Sequence, residues 1–119
     1  MKLEQLAAAL GAHAHAPASC LDLDICSVYA GDRMSDLLGA ASEHTLLVTH
    51  ITNQSLLNLI ELMDVPAVCL VNGATPERAV LDTANASHTA VLVSPWSLYE
   101  TCGRLYRTLE ATTSETASS

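Results

Sequence analysis

The sequence predicts a three-layer α/β/α domain around a mainly parallel sheet, built from four βα units that follow an N-terminal helix. Three observations carry this reading. Short apolar runs alternate with segments of helical periodicity, the pattern of βαβ crossovers. One run, Ala67–Val71, is apolar on both faces, as a parallel strand covered on both sides must be. Each run ends in a short polar turn that leads into a helix: Gly31-Asp32-Arg33, Thr49-His50-Ile51-Thr52, Asn72-Gly73-Ala74-Thr75 and Ser94-Pro95-Trp96.

Taken in order, Leu3, Leu6, Ala7 and Leu10 share one face of a helix over about residues 2–11, ended by Gly11. Ala12–Ala16 is short and stopped by Pro17, and its His-Ala-His alternation suits an edge strand. Cys20–Asp24 alternates leucine with aspartate, which would turn Asp22 and Asp24 to the same side of a strand. Ile25–Ala30 suits a largely buried strand. Gly31 is expected to supply a positive φ at the turn and Asp32 to cap the next helix, whose Met34, Leu37, Leu38 and Ala41 recur at helical spacing. Thr45–Thr49 is the next strand. Its helix runs from about Asn53 to Met63, with Leu56, Leu59, Ile60 and Met63 on one face and Thr52 as its cap. After Ala67–Val71 comes the Asn72-Gly73 turn, and Thr75-Pro76 reads as a cap with proline at the first helical position. That helix ends near residues 85–87. Ala90–Val93 is the last strand, and Ser94-Pro95 repeats the cap-plus-proline signal. The final helix runs to about Glu110 on a stripe of Leu98, Cys102, Leu105 and Leu109. Residues 1–110 form the domain; 111–119, mostly Thr, Ser, Ala and Glu, are expected to be a disordered tail.

Composition narrows the function. Half of the chain is apolar, which excludes disorder for its body, and with no Phe the core is built from Leu, Val, Ile and Ala. Five basic against 13 acidic residues, a net charge of −8, argue against nucleic acid or an anionic membrane as partner, since both select a basic face. Lys2 is the only lysine, so a P-loop lysine, a Schiff-base lysine and a lysine general base are excluded from the body of the domain. No apolar run approaches the ~20 residues of a membrane helix. Lys2, the alanine-rich stretch and Ala18-Ser19-Cys20 imitate an export signal, but Glu4, Gln5, His13 and His15 interrupt it. The segment is taken as part of the fold and the protein as cytoplasmic.

No catalytic constellation emerges. A Gly-x-Ser-x-Gly elbow and a dinucleotide glycine fingerprint are both absent, and no enzyme activity is expected. His13, His15 and Cys20 are the only grouping with a ligating character, and no Cys-x-x-Cys or His-x-x-x-His pair supports them, so neither a metal nor a cofactor is expected. The chemistry that remains is that of the carboxyl edge of the sheet, where helix N-termini converge and a small anion or polar metabolite is the natural guest. The candidate ligand-binding residues are Asp32, Arg33, Thr49, Thr52, Asn53, Asn72 and Gly73. Each has a plain alternative: Asp32 caps a helix, Arg33 pairs with Asp36, the threonines cap strand ends, and Asn72-Gly73 is simply a turn. Trp96, Tyr99 and Tyr106, on or near the last helix, predict a homodimer, because aromatics of this kind are enriched at interfaces.

Gly31-Asp32-Arg33, Val71-Asn72-Gly73 followed by Thr75-Pro76, and Ser94-Pro95-Trp96-Ser97-Leu98-Tyr99-Glu100 together resemble the DRTGG domain family over roughly residues 1–110. The chain has the Asp-Arg pair as Asp32 and Arg33 and the last glycine as Gly73, with Val71 and Asn72 where the family has Thr and Gly. The resemblance implies a regulatory module without chemistry of its own, similar in fold to the N-terminal domain of HPr kinase/phosphatase and commonly dimeric. It also implies an enzyme or a sensor kinase, encoded nearby, as partner. Two functions follow: a sensing module that binds a small anionic metabolite or a nucleotide, or a pure dimerisation and protein-interaction module with no small ligand.

Overall fold

The structure is a computed structural model and describes residues 1–15 and 18–118, with 18–19 and 111–118 described through their backbone alone. It is the three-layer α/β/α fold. The elements are α1 (Leu3–Leu10), β1 (His13–His15), a 3₁₀ turn (Ala18–Asp22), β2 (Ser27–Ala30), α2 (Met34–Ala40), β3 (Thr45–Thr49), α3 (Gln54–Leu62), β4 (Ala67–Leu70), α4 (Arg78–Ala86), β5 (Ala90–Val93) and α5 (Leu98–Ser118). The tail expected over 111–119 falls largely on residues whose side chains lie outside the description, and residue 119 lies outside it altogether.

The sheet order is β1-β5-β4-β3-β2. β2 to β5 are mutually parallel and β1 joins β5 antiparallel, with His13 opposite Val93 and His15 opposite Val91. Because β2 to β5 lie side by side in chain order, each crossover steps the same way across the sheet. Right-handed crossovers then place α2, α3 and α4 on one face. α1 and α5 cover the other.

The strands divide their side chains between the two layers with the period of two that a pleat imposes. Leu46, Val48, Ala67, Cys69, Ala90 and Leu92 pack with Leu3, Leu6 and Leu10 of α1 and Leu105 of α5. Leu47, Val68, Leu70 and Val91 pack with Leu37, Leu56, Leu59, Ile60 and Val80 of α2, α3 and α4. Each buried leucine contributes on the order of 1.5–3 kcal/mol. α1 ends as its sequence signals: Gly11 takes φ 64°, its N–H donates to Ala8 O at 3.1 Å and that of Ala12 to Ala7 O at 3.0 Å.

Some local expectations are corrected. Residues 18–22 form a 3₁₀ turn, so Asp22 and Asp24 are not alternate residues of one strand; Asp24 instead makes an isolated antiparallel bridge with Lys2. Asn53, not Thr52, caps α3, its Oδ1 accepting from Ser55 N at 3.0 Å. Neither proline opens a helix. Glu77 sits at φ −66°, ψ 149°, an extended conformation, and delays α4 to Arg78. α5 starts at Leu98, with Ser97 Oγ accepting from Glu100 N at 3.2 Å.

Candidate functional site

α4 leaves the carboxyl edge toward one face of the sheet and α5 toward the other. The topology therefore switches between β4 and β5, the place where an open α/β sheet offers a crevice. In this chain the crevice is closed by backbone. The N–H of Asn72 donates to Trp96 O at 2.7 Å, that of Gly73 to Ser94 O at 2.8 Å, and that of Ser94 to Leu70 O at 2.8 Å. The turn behind these bonds is closed by Ala74 N donating to Val71 O at 3.1 Å. Its two central residues are left-handed, Asn72 at φ 58° and Gly73 at φ 62°, the conformation in which Asn-Gly is favoured. The amides of these two candidate residues are thus engaged within the protein, while both residues remain exposed at the surface.

Asp32 has a different role from the one its position suggests. The N-cap of α2 is Arg33, which makes no side-chain cap. Asp32 instead reaches the neighbouring loop. Its Oδ1 accepts from His50 N at 2.8 Å and from Thr49 Oγ1 at 3.2 Å, and its Oδ2 lies 3.1 Å from His50 Nδ1. Thr49 is fully buried and accepts in turn from Ile51 N at 3.1 Å. Hydrogen bonds, that from the His50 amide foremost, hold the Asp32 carboxyl below the usual carboxylate range. One carboxylate thereby joins the ends of two adjacent parallel strands. Gly31 does not take the expected positive φ; its N–H extends the ladder to Val48 O at 3.0 Å.

Arg33 projects into solvent, its side chain 82% exposed, with Asp36 Oδ2 3.8 Å from its Nε. At that distance and exposure the pair contributes little, and the guanidinium is open to a second partner. Thr52 is half-buried and Asn53 exposed at the start of α3. Among the candidates, hydrogen bonds join Asp32 with Thr49 alone, and Arg33 adjoins Asp32 in sequence.

Two residues matter more than the sequence indicated. His50 contributes two of the three contacts to Asp32, and the signal for it was its place directly after the β3 run. Trp96 is half anchored: its Nε1 donates to Leu10 O at 2.9 Å, capping the end of α1, and the Arg104 guanidinium lies 3.9 Å above its ring. Three of the four thiols are quiet. Burial pushes Cys69 up to about 12 and raises Cys20 and Cys102 too, which keeps them protonated at neutral pH. On β1 the rings of His13 and His15 meet at 4.5 Å, and burial, then the neighbouring His13, lowers the pKa of His15. Among the described residues no helix is long and apolar enough to cross a membrane.

No protein-family model matches the chain, and no curated protein matches it in sequence. A solved structure does match in fold. The chain is similar to the CBS and DRTGG domains of the regulatory region of Clostridium perfringens pyrophosphatase, complexed with the activator diadenosine tetraphosphate. The TM-score is 0.68 at 17% sequence identity over 87% of this chain. The match covers 45% of that structure's chain, so this chain spans less than half its length. What the two share is the α/β fold, one that occurs within an enzyme's regulatory region.

Proposed function

We propose that the chain is a non-catalytic regulatory module of the DRTGG kind. It binds a small anionic metabolite or a nucleotide at the carboxyl edge of its sheet and acts with a partner enzyme, as a cytoplasmic homodimer whose domain spans residues 1–110. The observation that carries this reading is the fold shared, over 87% of this chain, with a regulatory region crystallised with a nucleotide activator. The site's geometry supports it. Arg33 is the basic group of the first turn, exposed and loosely paired. Thr52, Asn53 and the exposed Asn72-Gly73 turn line the same edge, and the Asp32–Thr49–His50 bracket ties two of its loops together.

A thermal-shift screen of the full chain against mononucleotides, diadenosine tetraphosphate, acetyl phosphate and inorganic phosphate tests it. A ligand at a hundred times its dissociation constant adds about 2.7 kcal/mol of stability. Arg33→Ala is expected to abolish the shift while the unliganded melting temperature stays unchanged. The absence of any shift across the panel would overturn the sensing role. The pure interaction module is the second reading, and one observation favours it: the Asn72 and Gly73 amides already donate to Trp96 and Ser94. It is the better reading if the panel is silent and the chain still dimerises.

A further inference from the structure

The exposed face of α5 holds features that the fold itself does not use. Tyr99 is 91% and Tyr106 70% exposed, two of the four aromatic residues of the chain. Between them, in the interior of a helix, stands Gly103, exposed and with nothing within 4 Å of where a Cβ would sit. Glycine is the poorest helix former after proline, and among the described residues no neighbour requires it here. Gly103 lines an open groove of about 840 Å³ on this face, walled by Tyr99, Tyr106, Glu100 and Arg107. A second, apolar cleft of about 500 Å³ continues from Cys102 and Tyr106 to Val28 and Ala30 of β2. β2 is an edge strand, paired on one side with β3.

We infer that this face receives a second copy of itself, the two α5 helices crossing antiparallel on a two-fold axis at Gly103. The inference rests on the homodimer in the reading above and specifies its interface. The occupant follows from the order of chemistry along the helix. A two-fold axis at Gly103 sets the residue four before it against the residue four after it in the partner, and likewise at three. Tyr99 then faces Arg107 of the other copy, a ring against a cation. Glu100 faces Tyr106, a carboxylate against a phenol O–H. The face is thus complementary to its own reversed copy, which an isologous interface requires. Intramolecular pairing leaves these groups available: Glu100 meets Arg104 through Oε2 at 3.3 Å, and Arg107 forms no ion pair among the described residues. The glycine lets two backbones approach where a side chain would hold them apart.

The test is sedimentation equilibrium of the full chain, with circular dichroism to verify the fold of each variant. Wild type is expected as a dimer at micromolar concentration. Gly103→Leu, Tyr99→Arg and Arg107→Tyr should each raise the dimer dissociation constant about tenfold or more, as the loss of these contacts in both symmetric copies implies. The double swap Tyr99→Arg with Arg107→Tyr re-forms ring against cation across the axis and should restore dimerisation. A wild-type dimer unaffected by all three single changes, or a swap that fails to restore it, overturns this interface and leaves the homodimer standing on another surface. A wild-type monomer at about 100 μM overturns both.

Discussion

Asp32 shows how one side chain can belong to two strands. Had it capped α2, serine or asparagine would replace it well. Because it reaches across to His50 and Thr49, serine is too short. Asp32→Ser is expected to lose about as much stability as Asp32→Ala, about 1–2 kcal/mol for a half-exposed bracket, in urea denaturation. Asp32→Asn keeps an acceptor for the His50 amide and should lose less. The carboxyl is held below its ordinary value in the folded state, so the unfolded chain takes up a proton first as pH falls. The contribution of Asp32 is therefore complete above the ordinary carboxylate range and is lost as pH falls through the folded value. The difference between wild type and Asp32→Ala should shrink as pH falls through and below the ordinary carboxylate range. Arg33→Ala, by contrast, is expected to leave unliganded stability within about 0.5 kcal/mol, because its pair is long and solvated.

At the scale of elements, the helix glycines separate by conformation. Gly11 ends α1 at φ 64°, a value that penalises any L side chain. Gly11→Ala is expected to destabilise the fold by about 1 kcal/mol or more. Gly39 lies within α2, exposed, with nothing within 4 Å of an added Cβ. Gly39→Ala should stabilise by about 0.4–1 kcal/mol through helix propensity and a less free unfolded chain. Thermal melts of the two variants in opposite directions would check both. The junction between β5 and α5 depends on side-chain hydroxyls: buried Ser94 and Thr101 meet at 2.8 Å, and Ser94 Oγ accepts from Trp96 N at 3.2 Å. This is why the Ser94-Pro95 signal, read as a helix cap, instead fixes the turn before the helix.

For the molecule as a whole, the two cores are unequal in their dependence on the ends of the chain. One layer is α2, α3 and α4, held between strands by short connections. The other is α1 and α5, from opposite ends of the chain, joined by the Trp96 bond to Leu10 O and by packing over Leu46, Val48 and Leu92. Removing residues 1–11 is expected to uncover that sheet face, with binding of an environment-sensitive dye and loss of cooperative unfolding. A truncated chain that unfolds in one sharp transition without dye binding would contradict this. Leu46→Ala and Leu47→Ala, on opposite faces of β3, should each lose about 2–5 kcal/mol.

Periodicity and turn chemistry are local, and what depends on them was legible in the sequence alone. The strands at residues 45–49 and 90–93, the helix ended by Gly11 and the α/β/α class all follow from spacing that neighbouring residues set. The edge strand His13–His15 was legible as well, because its alternation sits between a helix stop and a proline. The candidate site was legible only as an edge. Which loop touches which depends on strand adjacency and on the side of the sheet each helix takes. Asp32 finds His50 because β2 and β3 are neighbours, and Asn72 and Gly73 donate to Trp96 and Ser94 because β4 lies beside β5. These contacts join residues about 18 to 24 positions apart in the chain, beyond any repeat of a helix or strand, and only tertiary packing brings them within hydrogen-bonding distance.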